Sequence, residues 1–345
     1  MTRPTIADVA QAANVSKSTV SRVLSGNAEY MRSQTRAKVE KAIADLGYRP
    51  SRVARSLVSK RTYTAAILIS DVGNPFYPEV IHGVEDTALT HGYDIFLCNT
   101  NYDIARGLTF VRSLIDKQVD GVLIMSSSMS DEWLAELTRH NIATVVLDWN
   151  VPNPPPNVGI IGVEYRPGIQ AAVDHLIELG HRHFAHVSGP LDLQTSHSRR
   201  NAFLQALTGH NIDPAQVITV EGNLRPDGGR KALPELLSHS QRPTAIFAAN
   251  DLTAMGLVRA ARAQQLQVPH DLSVIGLDDI SLITDMEPPL TTVALPRYEI
   301  GQIAMDMLLE LLQTLPDPPD YRYRQVETYL VQRQSTASAP KNYDA

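Results

Sequence analysis

Cysteine is almost missing from this sequence: Cys98 is the single one in 345 residues, which rules out an intramolecular disulfide and fits a reducing compartment. Aromatic residues are also sparse, at 6% with two tryptophans, but 43% of the chain is apolar. That share suits a folded protein and argues against disorder or a fibre, and the length allows two or three domains. No stretch approaches the ~18 consecutive apolar residues of a membrane span, and the opening MTRPTIADVAQAAN has no secretory signal pattern. A cytoplasmic protein without membrane association is therefore expected. Enzyme signatures are missing too: there is no phosphate-cradling GxxxxGKS or GxxxxGKT, no GxSxG nucleophile turn and no zinc-binding HExxH. His181 and His183 in LGHRHFAHVSG alternate with no carboxylate or cysteine at ligand spacing, so neither a metal nor a cofactor is expected.

The sequence does have a strong charge asymmetry beneath its net charge of −6. Residues 1–63 hold twelve Lys or Arg against four Asp or Glu, a balance of +8, and the other 282 residues hold 19 against 33, a balance of −14. A small basic head on a large acidic body is the electrostatic footprint of a polyanionic partner, most commonly nucleic acid.

The head is patterned as short helices. Thr5 caps a first helix whose apolar positions Ile6, Val9, Ala10 and Ala13 follow helical spacing, with Asp8 placed where an acid suits a helix start. Ser16 caps a second helix, Val15 is placed to staple onto Val20, and Gly26 supplies the stop. On that second helix Val20, Val23 and Leu24 form one face, leaving Lys17, Ser18, Thr19, Ser21, Arg22 and Ser25 outside it. Hydroxyl side chains are mediocre helix formers, but they let a helix approach phosphates closely while longer side chains reach base edges. The pattern reads as a helix-turn-helix. A third helix is expected over Ser33–Leu46, with Val39, Ala42, Ile43 and Leu46 inward and Gly47 as its stop. The stretch SRVARSL, 51–57, has an apolar stripe of Val53, Ala54 and Leu57 but is too short to hold a helix alone, so it is expected to order only on docking.

The motif TIADVAQAANVSKSTVSRVLSG, followed by GYRPSRVARSL, resembles the DNA-binding head of the lactose-repressor family of bacterial transcription regulators. The resemblance implies that Lys17, Ser18 and Arg22 read bases in the major groove, and that Thr5, Ser16, Thr19, Ser21, Asn27 and Ser33 contact phosphates. It also implies that Leu57 is a minor-groove wedge that kinks the operator. Arg22 suits a guanine, whose O6 and N7 it can engage together.

From Tyr63 onward, short β-branched runs alternate with amphipathic helical stretches: TAAILISD, DIFLCN, VDGVLIM and IATVVLD, then HFAHVSG, ITVEG, TAIFAAN and LSVIGLDD. Continuous apolar strands separated by helices imply parallel, doubly wound sheets, and two such series imply two α/β lobes. Pro152–Pro156 mark a stiff connection near the end of the first series, while LTTVALP and YRYRQVETYLVQRQS are expected to cross back between lobes. This body resembles the family's periplasmic-binding-protein-like effector core. The expected division is a helix-turn-helix domain over 1–50, a hinge helix and linker over 51–62, the two-lobed core over 63–335 and a tail over 336–345.

Ligands of open parallel sheets sit beyond the carboxyl ends of the strands. The polar residues at those ends are Asp71, Asn99, Asp148, Asn250 with Asp251, and Asp278 with Asp279; Phe76 and Trp149 are the aromatic candidates for stacking on a sugar ring. Each of these side chains also has an ordinary role as a strand-end or cap group, Asn250 above all. Among them the resemblance selects Phe76, Asp148, Asn250 and Asp278, and it adds Thr195 and Arg199, as effector contacts. Three positions depart from family patterns: Leu193 replaces the arginine of the purine-responsive member, Leu224 replaces a stacking aromatic, and Gly162 replaces a common aspartate. The first weakens a purine effector. The expected protein is a homodimeric repressor on a pseudo-palindromic operator, released by a mono- or oligosaccharide between the lobes. STASAPKNYDA has no leucine heptad for a tetramerising coiled coil. The competing reading is a sugar-binding protein or sugar-acting enzyme with an incidental head.

Overall fold

The structure, a computed structural model, describes residues 4–24, 31–49, 61–315 and 322–341, which divide into two compact units between Tyr63 and Thr64. Asn27, Leu57, the stop at Gly26 and the 51–57 hinge stretch lie outside the described residues.

The head contains three helices, α1 (Ile6–Ala12), α2 (Lys17–Leu24) and α3 (Ser33–Leu46). Thr5 and Asp8 close a reciprocal capping box: the Thr5 backbone N–H donates to Asp8 Oδ2 at 2.7 Å and the Asp8 N–H to Thr5 Oγ1 at 3.4 Å. Ser16 caps α2 by accepting the Thr19 N–H at 3.2 Å, and Asn14, at φ 53°, turns the chain between the two helices. Val9, Ala10, Ala13, Val20, Val39 and Ala42 are the core, and Ile6, Val15, Val23, Leu24, Ile43 and Tyr48 pack around it. Leu46, expected inward, is 36% exposed. At ~1.5 Å per residue, the 14-residue α3 is longer than helices of seven and eight residues, and Ile43 is its last residue packed on the head's core.

The second unit has two lobes. Lobe one holds β1 (Thr64–Ile69), α4 (Phe76–Thr90), β2 (Asp94–Asn99), α5 (Ile104–Asp116), β3 (Gly121–Met125), α6 (Asp131–Arg139), β4 (Ala143–Leu147) and β5 (Val158–Glu164). Lobe two holds α7 (Arg166–Glu178), β6 (Phe184–Ser188), α8 (Gln194–Gly209), β7 (Ile218–Glu221), α9 (Pro226–Ser238), β8 (Ala245–Ala248), α10 (Asp251–Ala263), β9 (Ser273–Asp278) and β10 (Thr291–Ala294). The chain then returns to lobe one as α11 (Arg297–Thr314) and β11 (Tyr323–Glu327), and ends in lobe two with β12 (Tyr329–Val331). Strand orders are β11-β5-β4-β3-β1-β2, all parallel, and β12-β10-β9-β8-β6-β7, with only β12 antiparallel. These are doubly wound sheets with helices on both faces, as the unbroken burial of β3, β8 and β9 requires. In lobe one, Trp133 of α6 is wholly buried among Val111, Leu114, Ile124 and Val146.

Three crossovers join the lobes: Tyr165 after β5, Leu295–Pro296 after β10, and Thr328 between β11 and β12. The buried Thr328 ties two of them together. Its hydroxyl is 3.0 Å from the Glu164 carbonyl, 3.1 Å from the Tyr165 carbonyl and 3.2 Å from the Gly168 N–H that donates to it. The segment YRYRQVETYLV thus feeds one strand to each lobe. The expected tail extends the core past residue 335: Ala337 N–H donates to Ser273 Oγ at 3.1 Å and Ala339 N–H to the Leu179 carbonyl at 2.8 Å.

Thr328→Val keeps shape and leaves the Glu164 and Tyr165 carbonyls to the Thr328 and Ile169 N–H groups, but strands the buried Gly168 N–H, a loss of about 1–3 kcal/mol. Chemical denaturation of the full chain is expected to show that loss in the core transition, with the head's helices unaffected.

Candidate functional site

Between the lobes lies a cleft whose empty space, open mouth included, is about 560 Å³. It sits at the carboxyl ends of the strands of both sheets. From lobe one come Asn74, Phe76 and Tyr77 at the start of α4, Tyr102 after β2, Met125 and Ser127 after β3, Leu147 and Asp148 after β4, and Val163 of β5. From lobe two come Thr195 and Arg199 of α8, Leu224, Asn250 and Asp278; the crossover residues Tyr165 and Leu295 complete the wall. All six effector candidates of the sequence, Phe76, Asp148, Thr195, Arg199, Asn250 and Asp278, line this one cavity.

Their polar groups form a network centred on Arg199. Its Nη1 donates to the Ala249 carbonyl at 2.8 Å, while Nη2 lies 3.3 Å from Tyr165 Oη and 3.5 Å from Asp278 Oδ1. The guanidinium also lies over the Tyr165 ring, 5.1 Å from its centroid. Tyr165 in turn donates to Asp148 Oδ2 at 2.6 Å. Burial works against the Arg199 charge, yet Tyr165 and Asp278 outweigh it and hold the group above its ordinary range. Burial pushes Asp148 up to about 6, against the Tyr165 hydrogen bond and Arg199, and pushes Asp278 up to about 6, against Arg199 and Arg297. Asn250 is largely committed: its Oδ1 accepts the Thr253 N–H at 2.9 Å and hydroxyl at 2.7 Å as the cap of α10, and its Nδ2 donates to the Leu224 carbonyl at 3.0 Å. One amide N–H is left for a ligand.

Four of the lining residues, Tyr102, Asp148, Leu224 and Asp278, have positive φ of 60°, 53°, 60° and 119°. Side-chain-bearing residues in this region cost roughly 1–3 kcal/mol each, and such strain gathers at binding sites.

The remaining strand-end candidates do not face the cavity. Asp71 pairs with Arg225 at 2.8 Å, Asn99 accepts the Val72 N–H at 3.1 Å, Asp251 accepts Thr292 Oγ1 at 2.6 Å and the Ile280 N–H at 2.9 Å, and Asp279 pairs with Arg333 at 2.6 Å. Trp149 packs on the lobe-one core instead of offering a ring. Each satisfies a loop or a neighbouring charge that spacing along the chain does not reveal. Leu193 and Leu224 form an aliphatic wall with Ala249 and Tyr102, and Gly162 lies outside the cavity, where a side chain would strike the Tyr323 hydroxyl on β11. Tyr165, Tyr77 and Tyr102 are the residues sequence reasoning missed. His181 is buried against Thr244, Ser273 and the Ala337 carbonyl at 2.9–3.0 Å, and no group of three or more metal-ligating side chains occurs among the described residues. Nor is any described helix long and apolar enough to cross a membrane.

On the head, Lys17, Ser18, Ser21 and Arg22 are exposed on α2, with Thr5, Ser16 and Ser33 exposed at helix starts and Thr19 half-buried. The Ser16 hydroxyl bonds those of Ser18 at 2.7 Å and Thr19 at 2.8 Å, so the three form one polar edge at the start of α2.

A helix-turn-helix joined to a two-lobed core with an interlobe cleft defines a class, the DNA-binding regulators built on a periplasmic-binding-protein-like body. Residues 5–51 match the family described as bacterial regulatory proteins, lacI family, and residues 173–336 match the periplasmic binding protein-like domain. The HTH-type transcriptional repressor PurR of Edwardsiella ictaluri is 36% identical over 337 residues, spanning 97% of this chain and 98% of that protein. The solved lac repressor dimer bound to operator and the anti-inducer ONPF has a TM-score of 0.84 at 28% identity, covering 97% of this chain and 100% of that one. The complex of the transcriptional regulator CelR with cellobiose has a TM-score of 0.71 at 30% identity, covering 96% and 100%. The chain belongs to the lacI family of bacterial regulatory proteins.

A carboxyl whose folded pKa lies above its unfolded value favours the fold while protonated; that stability is complete below the unfolded value of 3.8 and is lost as pH rises through about 6. Asp148→Asn keeps an oxygen for the Tyr165 hydroxyl and removes one such group. Its melting temperature relative to the parent chain is expected to rise as pH goes from about 4 to about 7. Scanning calorimetry at constant ionic strength checks this, and a difference that stays flat with pH places the titration elsewhere.

Proposed function

We propose that the protein is a repressor that binds a pseudo-palindromic operator as a homodimer and is released from it by a mono- or oligosaccharide held between its lobes. The observation that carries the effector half is the convergence of six side chains, drawn from both lobes, on one cavity. Asp148, Asp278 and Arg199 offer paired acceptors and donors suited to vicinal hydroxyls, Asn250 and Thr195 add polar contacts, and Phe76 gives an aromatic face. The aliphatic side chain of Leu224 in the cavity wall, packed with Leu193, favours a compact ring over a flat, nitrogen-rich purine, which would leave its polar edge unmatched there. The cellobiose complex of a structural relative supports the same ligand class.

In the DNA half, Lys17, Ser18 and Arg22 read bases, while Thr5, Ser16, Thr19, Ser21, Asn27 and Ser33 contact phosphates and Leu57 enters the minor groove. The exposure of the described members of this set other than the half-buried Thr19, the +8 head and the operator-bound lac repressor support that assignment. Dimerisation is supported by the exposed edge strand β2, where Phe96 and Leu97 are 45% and 46% exposed, flanked in sequence by exposed Leu89 and Ile104. An apolar strand edge of this kind calls for a covering partner, and a twofold pair matches a palindromic site.

Replacing Arg22 with Ala is expected to relax preference at one operator position by roughly 1–3 kcal/mol. Competition binding against single-base operator variants reads this; uniform weakening over all variants would count against base reading. Ligand bound in the cleft raises stability by RT ln(1 + [L]/Kd), so thermal shift against a panel of mono- and disaccharides, with purines as controls, is expected to respond to a sugar. Asp278→Asn is expected to abolish that response while operator binding persists. Removing residues 1–62 should abolish operator binding and spare sugar binding; a truncated chain that keeps both would favour the sugar-binding or enzyme reading.

A further inference from the structure

One cation bridges the lobes outside the effector network. Arg225, in the loop between β7 and α9 of lobe two, reaches lobe one, where its Nη2 lies 2.8 Å from Asp71 Oδ2 and 3.0 Å from Asn101 Oδ1, with Nε 3.2 Å from Asp71 Oδ2. Its guanidinium also covers the Tyr102 ring, 5.7 Å from the centroid. The loop that delivers it is held in place. The Arg225 N–H donates to Asn223 Oδ1 at 3.1 Å, and Asn223 Nδ2 donates to both Asp227 oxygens at 3.1 Å.

Arg225 and Asn101 each adjoin a residue of the cavity wall. Leu224, next to Arg225 in the chain, lines the cavity at φ 60°, as does Tyr102, next to Asn101, also at φ 60°. A ligand that fills the cavity therefore presses on the two residues that aim the bridge, and the bridge in turn sets how closely they approach. A further direct bond between the cleft rims among the described residues, from the Asn150 N–H to Gln194 Oε1, is neutral and longer at 3.3 Å.

The geometry points to Arg225 and Asp71 as a clasp that holds the lobes closed and governs how long an effector stays in the cleft without touching it. Arg225 is thus a positioning residue. Its retention role rests on the cleft being the effector site, but its closing role does not. The pair's side chains are 44% and 20% exposed, so solvent discounts the interaction and the expected effect is modest.

The test measures closure first in the ligand-free full chain. Spin labels at Asp131→Cys on lobe one and Glu235→Cys on lobe two report the interlobe distance by pulsed electron paramagnetic resonance, with Cys98 buried. Arg225→Gln is expected to lengthen and broaden that distance, and the charge reversal Arg225→Asp with Asp71→Arg is expected to restore it. An unchanged distribution in Arg225→Gln overturns the clasp, as does a folded double reversal that stays open. If the reversal does not fold, Asp71→Asn must open the lobes as Arg225→Gln does, or the clasp fails. With cellobiose and D-ribose as probes, Arg225→Gln is expected to raise the dissociation rate roughly threefold with little change in association. An unchanged dissociation rate for a sugar that binds overturns the retention role; binding of neither sugar to the parent chain counts against these two as effectors and leaves the distance result to stand alone.

Discussion

A guanidinium shut away from water has to be neutralised where it lies, and much of the cleft is arranged around meeting that need for Arg199. Its partners come from different parts of the chain: Asp278 ends β9, the Ala249 carbonyl follows β8, and Tyr165 is itself a crossover between lobes. Because Tyr165 also donates to Asp148 of lobe one, the charge of lobe two is connected through the hinge to a carboxylate of the opposite lobe. Two carboxyls raised toward neutral pH around one cation leave hydrogen-bonding capacity unspent, and a polyhydroxyl ligand of the class proposed above would supply donors without bringing charge. The backbone at Asp148 and Asp278 is held at positive φ, so these acceptors are positioned at the expense of local strain rather than by free rotation.

In the proposed switch, the cavity network and the hinge between the lobes share residues. The hinge consists of three adjacent strands of chain, two of them bonded through Thr328, and one of the crossover residues it ties is Tyr165. A change in how the network around Arg199 is satisfied acts directly on a hinge residue. The coupling between effector and DNA that such regulators need, typically ~1–3 kcal/mol, is within reach of one or two hydrogen bonds to charged groups.

The parts of this molecule that were legible in the sequence are those whose physics is local. The capping box of Thr5 and Asp8, the Ser16 cap and the Gly47 stop are decided within four residues, and all three stand among the described residues, whereas Leu46 lies more exposed than its helical spacing implies. Asp148, Asn250 and Asp278 were legible because polar residues ending apolar strands converge once the sheet is parallel, Phe76 was an aromatic candidate, and Thr195 and Arg199 were supplied by resemblance to a known family alone. Asp71, Asp251 and Asp279 carry the same local signal and turn elsewhere, since each partner lies far along the chain, in Arg225, Thr292 and Arg333. Tyr165 was missed for a related reason. VGIIGVE, with its two glycines, was not read as a strand, so nothing marked the following residue as a strand end. That a side chain at 162 would meet Tyr323 is visible only once β11 is seen to pair with β5.

The threefold crossing of the chain has a consequence for the order in which the protein is made. Lobe one is begun by Thr64 but is complete only when Arg297–Thr314 covers its sheet and Tyr323–Glu327 adds its outer strand. During synthesis the basic head emerges first and can form its three helices while the lobe that follows waits for more than two hundred further residues. Ribosome-bound intermediates therefore carry a formed nucleic-acid-binding head on an unfinished core, with the apolar faces of β3, β4 and β5 lacking their α11 cover until late. In this architecture a prematurely ended chain loses both lobes at once, because neither is finished before the last fifty residues arrive.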